Sequence, residues 1–186
     1  NQRYGWGTRW TSILDDKVRT KGYRVIEEGL CGRTTVFDDP FRTERRGTEM
    51  LPAILESHRP VDTIVLMLGT NDCKSVYSAT PEMIGQGIEQ LLDQIKAVNP
   101  DAKILLVSPI HLGERIWEED FDPEFDKNSI EVSRNLPRVY EKIARRRNIS
   151  YLPASEFARP GEADQEHLDA LGHSRLADAI YEKLAG

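Results

Sequence analysis

Apolar residues recur along the chain at spacings that switch between helix and strand. Trp10, Ile13, Leu14 and Val18 repeat at three and four between Arg9 and Thr20, which marks one buried helix face, and Lys21-Gly22 ends the run. Tyr23-Arg24-Val25-Ile26-Glu27 then reads as a strand, and a polar loop follows to about Arg46. Met50, Leu51, Ile54 and Leu55 predict a short helix over 48–57, closed by Arg59-Pro60. Thr63 to Leu68 is apolar on both faces, as a strand inside a parallel sheet must be. Pro81 suits the first position of a helix that runs to Val98 and stops at Asn99-Pro100. Lys103 to Val107 is a third buried strand. The stretch 109–127 is irregular and carries Trp117, Phe121 and Phe125. A helix over about 130–147, a strand at 149–152 and a helix over 170–184 complete the pattern.

Strand and helix alternating in this way predict a parallel sheet covered by helices on both faces, in a single domain spanning 1–186. There is no repeat and no low-complexity linker. Ligands of such sheets bind beyond the carboxyl ends of the strands, so polar residues that follow strands carry the functional interest.

Composition narrows the partners. The 186 residues are 39% hydrophobic and 30% charged, with a net charge of −6. The basic residues are scattered, and the densest run, Arg145-Arg146-Arg147, falls at a predicted helix end, where cations suit the dipole. Nucleic acid is therefore not an expected partner. No stretch approaches the ~20 apolar residues of a membrane span, and no signal peptide is visible. Cys31 and Cys73 lack CxxC spacing, so a reducing cytoplasm is the simplest compartment.

Three loops after strands hold candidate chemistry. Gly29-Leu30-Cys31-Gly32-Arg33-Thr34-Thr35 follows the first predicted strand and Gly69-Thr70-Asn71-Asp72 the second. Asp164-Gln165-Glu166-His167 follows the last strand and precedes the final helix. In the third, a carboxylate three residues before an imidazole can accept the Nδ1 proton, fix the tautomer and leave Nε2 as a base. In the first two, a backbone N–H in a glycine turn and an Asn amide can both donate to a developing oxyanion. Each pattern alone also describes an ordinary turn: Asp164 capping a loop, His167 a loop histidine, Asp72 ordering a turn.

Taken together, Gly32, Asn71, Asp164 and His167 resemble the blocks of the SGNH hydrolases, also called GDSL-type esterases. Val25 to Thr35 with Asp38-Asp39-Pro40, and Met67 to Asp72, are similar to the arylesterase/acyltransferase branch. The resemblance implies a flavodoxin-like three-layer α/β/α sandwich, a carboxylic ester hydrolase acting on small-molecule esters, and no metal or organic cofactor. It also implies His167 and Asp164 as catalytic residues and Gly32 and Asn71 as the oxyanion hole. Trp6, Cys31 and Trp117 are candidates for the substrate pocket. The aromatic segment 109–127 and the likeness to a branch of oligomers predict self-association.

The family's nucleophile lies in a GDS motif directly after the first strand, and no GDS occurs in this sequence. In flavodoxin-like order 2-1-3-4-5 that first strand is central, and its loss would expose unpaired backbone on both neighbours. A segment of roughly 20 residues preceding Asn1, with a strand and a nucleophilic Ser, is therefore expected. Alternatives stay open. Cys31 or Cys73 could attack as a thiolate. The chain could be an inactive or ligand-binding flavodoxin-like module, although Gly29-x-x-Gly32 lacks GxGxxG or a P-loop lysine. Asp164, His167, Asp169 and His173 match no compact zinc spacing, and His173 is expected to face out of the last helix.

Overall fold

Three strands, β1 (Thr63–Leu66), β2 (Lys103–Ser108) and β3 (Ser150–Pro153), lie side by side in that order and run parallel. Ile64 pairs with Ile104, Leu66 with Leu106, and Leu106 with Tyr151. These relations come from a computed structural model that describes residues 3–186. The strands are apolar on both faces because each face carries a core. Leu66 and Leu106 point into one, with Leu55, Ile88, Leu91, Leu136 and Tyr140. Leu105, Val107 and Leu152 point into the other, with Leu14, Leu176 and Ile180. Burying each such aliphatic side chain contributes ~1.5–3 kcal/mol, so period-2 alternation between two cores sets the register.

Five α-helices among the described residues supply these faces. α2 (Gly47–His58), α3 (Pro81–Val98) and α4 (Lys127–Arg147) cover one side, and α1 (Trp10–Arg19) packs against α5 (Ala170–Ala185) on the other. The result is the expected three-layer α/β/α arrangement with a parallel sheet. Pro81 opens α3 as predicted, and the Thr80 hydroxyl accepts the Met83 N–H at 3.2 Å. α4 starts three residues before the predicted Ile130. Asp126 accepts from the Ser129 N–H at 2.8 Å and Ser129 Oγ accepts the Asp126 N–H at 3.0 Å, a reciprocal cap that starts the helix at Lys127. The arginine run at its end pairs with α3 as well as suiting the dipole: Arg146 and Arg147 both reach Glu89.

Two expectations need correction. Residues 23–27 form no strand. The Val25 N–H donates to Asp15 Oδ1 at 2.7 Å instead of to a neighbouring strand, and the outer edge of β1 has no ladder partner among the described residues. A strand is defined by its neighbour, and β propensity cannot substitute for one. The segment expected before Asn1 lies outside the described residues. His173 does not face outward either. It is half-buried, its Nδ1 accepts the Trp10 N–H at 3.2 Å, and its ring meets Tyr4 edge-on at 5.4 Å. No helix among the described residues is long and apolar enough to cross a membrane.

Candidate active site

The loop between β3 and α5 folds around Asp164. Its Oδ1 accepts the backbone N–H of Glu166 at 3.0 Å and of His167 at 2.8 Å, while Oδ2 lies 3.0 Å from His167 Nδ1. Gln165 takes φ +60 to make this tight return possible. Burial alone would raise the Asp164 carboxyl. The two backbone N–H groups and the imidazole outweigh burial and hold it below the usual carboxylate range. An ionised Asp164 against Nδ1 keeps the proton there and leaves Nε2 as the basic nitrogen. The side chain of His167 is 54% exposed, so Nε2 chemistry is open to a ligand.

The Gly32 turn and the Asn71 loop are joined by Asp72. Its fully buried carboxylate accepts the Thr35 N–H at 2.9 Å and 3.1 Å and also the Thr35 hydroxyl. Burial pushes Asp72 up to about 6, against the two Thr35 hydrogen bonds that pull it down. Asp72 thus orders the turn, as its position suggested. Gly32 sits buried at φ +82, a region that L side chains rarely adopt. Asn71 begins a single 3-10 turn, Asn71–Cys73, and its half-buried side-chain amide hydrogen-bonds no other described residue. Behind it, Gly69 at φ +126 lets the Tyr140 hydroxyl reach Leu68 O at 2.7 Å; a Cβ there would stand 2.4 Å from that hydroxyl.

The sequence matches the GDSL-like lipase/acylhydrolase family over residues 1–175. The chain belongs to that family. Its structure is similar to that of Est24, a carbohydrate acetylesterase from Sinorhizobium meliloti (33% identity, TM-score 0.90), over 100% of this chain and 88% of the other. It is equally similar to the inhibitor-bound aryl esterase of M. smegmatis (30% identity, TM-score 0.92), with the same coverage of both chains. No curated protein matches the sequence significantly. The family and these relatives make the protein a carboxylic ester hydrolase with the SGNH hydrolase fold.

Around the esterase loops lies a charged cluster that sequence reasoning did not find. Lys74, 2% exposed at its side chain, reaches Glu124 Oε2 at 2.9 Å and Asp39 Oδ2 at 3.4 Å. Arg42 reaches the same two carboxylates at 3.3 Å and 3.2 Å, and its guanidinium covers Gly32, where a Cβ would be 3.0 Å away. Burial would raise Asp39; the Phe41 N–H and the two cations hold it down. The segment 109–127 thereby joins the other loops. Ser75 N–H donates to Glu124 O at 2.8 Å and Gly113 N–H to Gln165 O at 2.7 Å. Alternating charge in a polar loop gave no signal for these contacts, because any of several carboxylates could have served.

The remaining candidates are dispersed. Cys73 is buried with Sγ 3.3 Å from Gly69 O, and burial, then Asp72, pushes its thiol well up, which removes the thiolate a nucleophile needs. Cys31 is exposed, 3.9 Å from Arg42 Nη1. Trp6 lines a cleft of about 370 Å³ with Asp15, Arg19, Arg24 and Val25. Trp117 is 43% exposed, donates to Glu114 O at 3.0 Å and has Lys127 Nζ 4.0 Å from its ring centre. Ile116 and Phe125 of the same segment are buried in the core, so its apolar content is largely taken up within the chain. Asp169 caps α5 through Gly172 N–H at 2.6 Å, a structural duty.

Proposed function

We propose that the protein cleaves short-chain carboxylic esters through a Ser-His-Asp triad in which His167 is the general base and Asp164 its orienting carboxylate. The observation that carries this reading is the Asp164–His167 pair, 3.0 Å apart, on a His167 side chain that is 54% exposed. A hydroxyl attacks the ester carbonyl and passes its proton to Nε2. The oxygen that becomes negative is held by the Gly32 N–H and the Asn71 amide, each such donor contributing ~3 kcal/mol of barrier lowering. His167 then returns the proton to the leaving alcohol, and water, or another acceptor alcohol, releases the acyl group. Neither a metal nor an organic cofactor takes part.

The nucleophile is proposed to come from a segment preceding Asn1. Two features among the described residues support this: the outer side of β1 has no ladder partner, and residues 23–27 join no ladder. Among the described residues no serine hydroxyl is hydrogen-bonded to His167, and Ser108, the serine that ends β2, is buried against Tyr151 Oη at 2.9 Å. The substrate class follows the relatives: an acetylated carbohydrate or an aryl ester. Hydrolysis of p-nitrophenyl acetate and of an acetylated sugar by wild type and His167→Ala tests the assignment. The variant is expected to lose at least ~10³-fold in kcat with both substrates. Near-normal turnover refutes it.

A further inference from the structure

The loop 161–169 brings a second carboxylate to His167. Nδ1 lies 3.0 Å from Asp164 Oδ2 and 3.5 Å from Glu166 Oε2. The two carboxylates are held differently. Asp164 accepts two backbone N–H groups and is anchored by the turn itself. The Glu166 side chain is 12% exposed, and its carboxylate accepts no hydrogen bond from another described residue. A carboxylate placed so far out of water without donors is costly unless opposite charge faces it. Two cationic groups do: the His167 ring when protonated, and Lys74 from the loop after Asn71. Asp122 of segment 109–127 and Asp164 oppose it with like charge. His173 of α5 is a further titratable group whose electrostatics His167 affects.

We propose that Glu166 is a second positioning carboxylate for His167, sharing with Asp164 the charge of the imidazolium that forms during ester cleavage. The inference rests on His167 being the general base. Its chemical logic is local. When Nε2 takes the nucleophile's proton, the ring becomes a cation with Nδ1–H between two carboxylate oxygens. Glu166 is the one of the two that has no other hydrogen bond to give up. Asp164 sets the ring's orientation, and Glu166 adds charge at a distance where geometry is forgiving. Burial, and then its acidic neighbours Asp122 and Asp164, raise Glu166 above the usual glutamate range.

The test uses Glu166→Gln, which keeps volume and polarity and removes the charge, in the full-length protein. Loss of one negative charge beside the ring makes His167 easier to deprotonate. The acid limb of the kcat/KM profile is therefore expected to move to lower pH by about half a unit, the scale of one solvent-screened charge near 4 Å. KM at the optimum should stay within twofold while kcat falls several-fold. Glu166→Asp should restore part of the limb position. In an Asp164→Asn background the same Glu166→Gln change should cost more than it does in wild type, since Glu166 is then the remaining carboxylate. A limb that stays in place or moves upward in a folded Glu166→Gln protein overturns the proposal, as does an equal cost in both backgrounds. If Glu166→Gln fails to fold, the limb position of Glu166→Ala, which also removes the charge, decides instead: the wild-type position overturns the proposal and a downward shift supports it. His167→Ala separates the two levels. An active His167→Ala removes the general base and Glu166's role with it, whereas an inactive one with an unmoved limb removes only Glu166.

Discussion

Replacing Asp72 by Asn should change how stability depends on pH more than it changes the fold. Asp72 is fully buried, and its carboxyl is raised from the ordinary 3.8 to about 6, chiefly by burial. At ~1.36 kcal/mol per unit, ionising it costs the folded protein about 3 kcal/mol more than it costs the unfolded chain. The cost is absent below pH 4, where both states hold the proton. It grows as pH rises from about 4 to 6, because the unfolded chain releases its proton first, and it is complete above 6. The Asn side chain offers the same acceptor to the Thr35 N–H and hydroxyl and cannot ionise. Relative to wild type, Asp72→Asn should therefore gain about 2–3 kcal/mol in unfolding free energy between pH 4 and pH 7. Urea unfolding followed by tryptophan fluorescence at pH 4, 5, 6 and 7 measures this difference directly. Parallel stability–pH curves for the two proteins would show that Asp72 is not a forced buried charge. Asp72→Ala is the contrast: it also removes the ionisable group but orphans both Thr35 groups, so it should be ~1–3 kcal/mol less stable than Asp72→Asn at every pH.

Two further outcomes follow from the packing. Gly69→Ala places a methyl group 2.4 Å from the Tyr140 hydroxyl at a φ of +126, and Tyr140 is fully buried and cannot withdraw, so thermal or urea denaturation should show a loss of at least ~2 kcal/mol. Self-association is proposed through the face that exposes Trp117, since Ile116 and Phe125 are already inside the core; light scattering that finds only monomer at micromolar concentration refutes it.

Much of this protein follows from short-range chemistry. The Asp164–His167 pair was legible because three residues suffice to bend a carboxylate back onto an imidazole, with backbone N–H groups of the same turn holding it. Pro81 opens α3 for a reason internal to proline, and period-2 alternation with apolar residues on both faces announces a strand between two cores. The tertiary structure alone decided what depends on distant neighbours. Residues 23–27 have the composition of a strand, yet Val25 N–H goes to Asp15 because a ladder needs a partner that composition cannot supply. His173 turned inward because the start of α1 presented it with the Trp10 N–H. Lys74, Asp39, Arg42 and Glu124 looked like ordinary loop charges. They became a cluster around the buried Lys74 and Asp39 when these loops met, and a charge has no preferred partner until burial leaves it only a few.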